Sequence, residues 1–348
     1  MSPRSPAAQV PAAQVIVVAY NPGSDLQRCL DALAAQTCTD FEAVVWDNAS
    51  SDGALDQLSP PPGVEVVRCP DNLGFAAGNN RAAERSQSRY VVTLNPDAFP
   101  EPDWLERLVA AADETGAAMV ASLQIDDEAP DTLDGAGDCM SIFGAAWRGG
   151  YQQPRALAPT ERAEVFGPCG AAALYRREVF EAMAGFEERF FCYCEDVDLA
   201  FRIRLRGGRC VLEPRAIVRH RGSGTVRSIS GFADYHGARN RLWTFVRDMP
   251  TVLMPIALPL HIALTLYLVV RLQSVAGMAA PRRAYRRGLW HGLKGMGPFL
   301  KERRAWRPTD LRALAAALAW SPLSLSRRGP IARPWRAPAT AGPNGGLS

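Results

Sequence analysis

Val15-Ile-Val-Val-Ala19, running into Tyr20-Asn-Pro-Gly23 and then Ser24-Asp-Leu26, sets the first unit of the fold. A short continuous apolar run of this kind suits a strand buried on both faces of a parallel sheet. Ser24 and Asp25 can cap the following helix, in which Leu26, Cys29, Leu30 and Leu33 recur at helical spacing. The unit then repeats. Ala43-Val-Val-Trp46 ends in Asp47-Asn-Ala-Ser-Ser-Asp-Gly53, and Val64-Glu-Val-Val67 leads to Asp71-Asn-Leu-Gly-Phe75. Tyr90-Val-Val-Thr-Leu94 ends in Asn95-Pro-Asp97, and 117–122 reads as a fifth strand. Helical stretches separate most of these strands, which predicts a doubly wound α/β sheet. In such sheets ligands sit beyond the carboxyl ends of the strands. The polar clusters at Asp47, Asp71 and Asn95 to Asp97 all fall there.

Upstream, residues 1–14 contain the tandem unit PAAQV-PAAQV and no apolar core of signal-peptide length, so a disordered lead-in is expected. Downstream, 125–165 reads as an irregular, Gly-rich insertion. Gly167-Pro-Cys-Gly-Ala-Ala-Ala-Leu-Tyr175 is a small-residue strand, followed by a helix from about Arg177 and the loop 185–194. Glu195-Asp-Val-Asp198 opens a further helix. Strand-like 210–212 and 216–219 then end at His220.

The 348 residues are 47% hydrophobic and 22% charged, a composition that excludes a disordered or collagen-like chain. Eight cysteines without a C-x-x-C exclude a disulfide scaffold or zinc ribbon as the organising principle, and reduced thiols are expected. The net charge of +3 conceals an asymmetry, because 271–348 holds 15 Lys and Arg against only Glu302 and Asp310. An acidic body thus precedes a basic, Arg-rich tail. Where a dinucleotide-binding domain needs G-x-G-x-x-G, the chain reads Asn21-Pro-Gly-Ser-Asp-Leu26. A P-loop is absent too, since Lys294 and Lys301 are the only lysines.

Six motifs in order carry a resemblance over roughly 14–250. Tyr20-Asn21, the stretch Val45-Trp-Asp-Asn-Ala-Ser-Ser-Asp-Gly53 and Asp71-Asn-Leu-Gly-Phe-Ala-Ala-Gly-Asn-Asn80 resemble the nucleotide-sugar half of family 2 glycosyltransferases. Leu94-Asn-Pro-Asp97 resembles that family's D-x-D metal motif, and Glu195-Asp196 followed by His220 its catalytic half. Tyr235-His-Gly-Ala-Arg-Asn240 matches the Y-x-x-x-R-N string of rhamnosyltransferase-like members. The resemblance implies a GT-A fold, a Rossmann-like doubly wound mixed sheet, and inverting transfer from a nucleoside-diphosphate sugar. It implies a catalytic domain over 15–250, with a nucleotide-sugar half (15–122) and an acceptor half (123–250). A helical, membrane-associated extension over 251–325 and a disordered tail over 326–348 would follow.

Inverting transfer is an in-line displacement at the anomeric carbon with a diphosphate leaving. It needs a base for the acceptor hydroxyl and positive charge at the leaving group. Asp97 can ligate Mg2+ or Mn2+, hard cations that take carboxylate and phosphate oxygens. Asn95 stands where many relatives have the first Asp, so one negative ligand is missing. The resemblance assigns His220 to the metal or the diphosphate; a solvated loop histidine is the alternative. Asp196 is the expected general base, kept ionised by the helix dipole, with Glu195 beside it. An acidic helix start is the alternative reading for both. Asp47 is placed against the donor base by the resemblance, or closes an ordinary Asx turn. Gly74 lets the backbone approach the donor, while Asn72 and Asn79 supply amides. Phe191 and Tyr193 form either an acceptor platform or core.

From Thr251 to Val270 no residue is charged, although Pro255, Pro259 and His261 interrupt the run. Twenty helical residues reach across a hydrocarbon core. A single crossing would, however, put the basic tail opposite a cytosolic catalytic body, against the positive-inside bias. The expectation is therefore a cytoplasmic enzyme held peripherally on the inner face of the cell membrane. Arg282, Arg283, Arg286, Arg287, Arg303, Arg304 and Arg307 would meet anionic lipid, and no nucleic-acid reader motif is present. The expected reaction moves rhamnose from dTDP-rhamnose to a lipid-linked or cell-surface polysaccharide acceptor. UDP-GlcNAc, UDP-galactose or GDP-mannose as donor, or a catalytically silent nucleotide- or carbohydrate-binding protein, remain open at this point.

Overall fold

A computed structural model describes residues 10–222, 231–274, 279–305 and 307–337. Positions 1–9 of the expected lead-in and 338–348 of the expected tail lie outside them.

The first half alternates as the sequence predicts: β1 (Ala13–Ala19), α1 (Asp25–Ala34), β2 (Phe41–Asn48), β3 (Val64–Cys69), α2 (Gly74–Ala83), β4 (Tyr90–Leu94), β5 (Ala98–Pro100), α3 (Trp104–Thr115) and β6 (Met119–Asp126). β4, β1, β2 and β3 are neighbours in that order, all parallel. Val15, Val17, Val45 and Val92 point to the face covered by Leu30 of α1 and Leu108 of α3. Ile16, Val44 and Val91 point to the other face, with Ala76 and Ala82 of α2. Both faces are covered, which is why these strands read as unbroken apolar runs. A Cβ at Gly78 would lie 3.0 Å from Val18, so glycine lets α2 close onto β1.

The second half comprises β7 (Leu133–Ala136), β8 (Asp138–Met140), β9 (Ala146–Arg148), β10 (Ala163–Val165), β11 (Ala172–Arg176), α4 (Arg177–Ala182), α5 (Glu195–Leu205) and β12 (Cys210–His220). β11 inserts antiparallel between β4 and β6, and β12 lies parallel to β6, making the sheet mixed. Two expectations are corrected here. The insertion 125–165 carries short strands, too brief to show a period of two. The segments 210–212 and 216–219 are one strand whose register shifts between Glu213 and Ile217, around Pro214.

The chain then forms α6 (Phe232–Asp248), α7 (Met254–Ser274), α8 (Ala279–Glu302), α9 (Leu311–Ala317), α10 (Pro322–Arg327) and β13 (Arg333–Pro334). α8 packs along α6, where Trp243 and Phe299 stack with ring centroids 4.8 Å apart. Beyond Ala257 and His261, α7 exposes Ile256, Ile262, Leu266 and Val270. Thr251–Arg271 is long and apolar enough to cross a membrane, and 11% of its most apolar window is buried. The tail does not start at 326 as a disordered segment. β13 pairs with β10, and the Arg209 guanidinium lies over the Trp335 ring.

Candidate active site

A cleft of about 1150 Å³ opens at the carboxyl ends of β1, β2 and β4. Tyr20, Asn21, Asn72, Gly74, Asn95 and Asp97 of the first half line it, together with Phe191, Tyr193, Glu195, Asp196 and His220 of the second. The nucleotide-sugar half and the acceptor half therefore meet in one cavity.

In the first half, the loops after β1 and β2 are tied together. Asn21 Oδ1 accepts from the Ser51 N–H at 2.7 Å, and Asp52 Oδ2 accepts from the Gly23 N–H at 2.8 Å. Asp47 is 4% exposed, does not line the cleft, and accepts the N–H of Ser50, three residues on, at 2.9 Å. Asn79 is also outside the cleft, with its amide donating to the Phe75 carbonyl. Asn72 Oδ1 caps the Gly74 N–H at 3.0 Å. Gly74 has φ +83°, and a Cβ there would fall 2.5 Å from Phe191, so the close approach is to the acceptor-side loop.

Across the cleft mouth, β5 pairs antiparallel with the end of β12 and sets His220 opposite Ala98. His220 Nε2 lies 3.2 Å from Asp97 Oδ1 and 3.4 Å from the Asn95 amide. Its Nδ1 is 2.7 Å from Asp134 Oδ2, and Asp134 also pairs with Arg148. Burial would lower the imidazole pKa, but bonds to Asp134 and then Asp97 raise it to about 9. With Nδ1 held by Asp134, Nε2 is the nitrogen turned toward Asp97 and Asn95. The Asp97 carboxylate and the Asn95 amide oxygen are donors that suit Mg2+ or Mn2+, and His220 joins them only on losing the proton that its raised pKa retains.

The catalytic loop is backbone-strained. Phe191, Tyr193 and Cys194 have φ of 66°, 70° and 68°, a region that costs a non-glycine residue about 1–3 kcal/mol. Asn240 Nδ2 donates to the carbonyls of Phe190, Cys192 and Tyr193, and Arg239 donates to those of Arg189 and Phe190. Arg239-Asn240 thereby clamps the loop that delivers Glu195 and Asp196 to the start of α5. Phe191 and Tyr193 both contact the Phe232 ring, with centroids 6.3 and 6.2 Å away.

Asp196 Oδ2 accepts the Gly170 N–H at 2.9 Å and Oδ1 the Val197 N–H at 2.8 Å. Burial nonetheless outweighs these bonds and raises its pKa above the ordinary aspartate value. The dipole and N–H groups favour the anion, and desolvation opposes them more strongly. Glu195 is 5% exposed, with Oε2 buried and unpartnered, and burial and then Asp196 push its pKa well up. Asp138, 4% exposed, is likewise raised by burial and then Asp196. Asp138, Cys169 and Asp196 offer ligand atoms all within 4.8 Å of one another. Crowded carboxyls of this kind cannot all ionise, so a proton is retained among them.

Asp134, Asp138 and Arg148 escaped the sequence reading because they sit in the segment taken as irregular. The available signal was Leu133-Asp-Gly-Ala-Gly-Asp138, two acids bracketing glycines.

The family model described as Glycosyl transferase family 2 matches residues 14–183. Over 249 residues the chain is 29% identical to the N-acetylglucosaminyl-diphospho-decaprenol L-rhamnosyltransferase of Mycobacterium tuberculosis (strain CDC 1551 / Oshkosh), covering 64% of this chain and 80% of that one. It is 28% identical over 225 residues to the succinoglycan biosynthesis protein ExoO of Rhizobium meliloti (strain 1021), covering 60% of each. The solved structure of GalNAc-T7 with UDP, GalNAc and Mn2+ superposes with a TM-score of 0.56 at 16% identity, over 85% of this chain and 57% of that one. That last likeness shows the fold, which is GT-A. With the motifs of both halves gathered around one cleft, residues 14–183 match glycosyltransferase family 2, and the chain is similar to a rhamnosyltransferase.

Proposed function

We propose that the enzyme transfers rhamnose, with inversion, from dTDP-rhamnose to a hydroxyl of a lipid-linked or cell-surface polysaccharide acceptor. The observation that carries this reading is the convergence of Asp97, its partner His220, Glu195 and Asp196 on the lining of one cleft. The donor diphosphate lies toward Asn95, Asp97 and His220, and the sugar spans toward Asp196. Asp196 takes the acceptor proton, and its raised pKa makes it a stronger base than a solvated aspartate. A divalent cation held by Asp97, His220 and Asn95 supplies charge stabilisation to the departing diphosphate. Asp134 holds the His220 ring in place. Rhamnose is favoured by the name of the mycobacterial relative.

A panel of nucleotide sugars, scored by thermal stabilisation with and without Mn2+, tests the donor site. Stabilisation by dTDP-rhamnose that is lost on chelation and in Asp97→Ala is expected. Equal stabilisation with and without the ion would remove the metal role, and preference for UDP-GlcNAc, UDP-galactose or GDP-mannose would replace the donor.

The exposed apolar side of α7 and the exposed Arg283, Arg286 and Arg287 of α8 support attachment to an anionic membrane surface, facing the cytoplasm. Co-sedimentation with anionic vesicles should weaken at high salt without vanishing, because only the electrostatic part is screened. No co-sedimentation at low salt would contradict surface attachment, and salt-independent binding would indicate a span.

A further inference from the structure

A second cavity, of about 280 Å³, lies behind the catalytic loop between α6, α8 and the turn joining β8 to β9. Ala146, Cys194 and Val197 line both this cavity and the main cleft, so the two share the wall that carries Glu195 and Asp196. Arg241 and Thr244 of α6 and Tyr285 of α8 line its interior.

Two donors there have no acceptor. Arg241 Nη2 donates to Thr265 Oγ1 at 3.1 Å and to the Tyr285 hydroxyl at 3.0 Å, while Nη1 is buried and unpartnered. No carboxylate forms an ion pair with Arg241 among the described residues, so its charge is balanced only by neutral hydroxyls. Thr244 is 2% exposed, and its Oγ1 is also buried without a partner. A desolvated guanidinium and an orphan hydroxyl converging on one cavity are costly unless an anion completes them. Asp234 is the one acidic residue in the lining, and it makes no ion pair with Arg241 among the described residues. Space is available at Gly237, where a Cβ would meet nothing within 4 Å.

The cavity also adjoins the apolar extension. Thr265, the partner of Arg241, belongs to α7, and its helix neighbours Ile262 and Leu266 are exposed.

We infer that this cavity binds the phosphate groups of the acceptor's lipid carrier. Arg241 Nη1 and Thr244 Oγ1 donate to phosphate oxygens, and the attached sugar enters the main cleft past Cys194. The hydrocarbon chain leaves along the exposed side of α7. This rests on the acceptor being lipid-linked; it does not depend on which donor sugar is used.

Farnesyl diphosphate, inorganic pyrophosphate and farnesol serve as probes, titrated into the full chain in metal-free buffer. Thr244→Val is the decisive variant, because a hydroxyl without a partner can be removed with no loss of internal hydrogen bonding. It should unfold at or above the wild-type temperature and yet bind farnesyl diphosphate several-fold more weakly. Arg241→Gln should weaken the same binding tenfold or more, and neither change should alter farnesol binding. Unchanged farnesyl diphosphate affinity in both variants would overturn the inference. Pyrophosphate binding as tightly as farnesyl diphosphate, with the same response to both variants, would overturn the lipid assignment in favour of a free anion. No donor is present in this titration, so a wrong donor assignment leaves its result untouched.

Discussion

Asp196→Asn is expected to bind the donor as wild type does and to transfer sugar about 10²–10⁴ times more slowly, the usual worth of a positioned base. The substitution keeps the size of the side chain and one carbonyl oxygen, which can still accept from Gly170 or Val197. It removes the proton acceptor together with one of the two backbone hydrogen bonds. The pH dependence carries the same signature. Because burial raises the Asp196 pKa, the base is protonated, and kcat falls, as pH drops through a value above the ordinary aspartate pKa of about 3.9. Asp196→Asn should flatten that acid limb. Near-normal turnover in this variant would remove Asp196 from the mechanism and leave Glu195 or Asp138 as the base.

Arg247→Met is expected to destabilise the protein by about 3–5 kcal/mol, because it strips the cation from buried carboxylates. The Arg247 side chain is 3% exposed and pairs with Asp198, with Glu187 at 2.6 Å, and with Asp248 and Glu302 at 3.3 Å each. Asp198 is fully buried and holds Arg202 at 2.8 Å as well. These contacts join α5, α6, α8 and the segment before the catalytic loop. Without Arg247, Glu187 keeps Arg189, but Asp248 and Asp198 are left around Arg202. Burial and then the Asp198 charge push the Asp248 carboxyl well up, against the opposing charges of Arg247 and Arg202. Urea unfolding measures the effect, and a loss under about 1 kcal/mol would show that the network contributes packing rather than charge balance. Removing Asp198 and Arg247 together for apolar residues should recover part of the loss.

The legible parts of this fold are those whose signal is local. Val15 to Ala19 and Tyr90 to Leu94 are continuous because both faces are covered, and each ends in the polar residues that line the cleft. The pairing of His220 with Asp97 is legible only through the family pattern, since 122 intervening residues separate them and β5 pairing with β12 brings them together. Asp47 and Asn79 illustrate the opposite limit. Their residue types fit donor binding, but side-chain direction on β2 and α2 turns them to local backbone partners. Asp134 was hidden because its role depends on a partner 86 positions away, within strands of three or four residues. The raised pKa of Asp196 depends on burial, which no spacing rule conveys.

The central claim is inverting transfer in this cleft, and the configuration of the product tests it most directly. Wild-type enzyme, dTDP-rhamnose, Mn2+ and a lipid-linked sugar acceptor would be combined and the anomeric configuration of the transferred sugar read by NMR. The expected result is one new linkage whose configuration is opposite to that of the donor, abolished in Asp196→Asn. Retention of the donor configuration would contradict a single displacement with Asp196 as base.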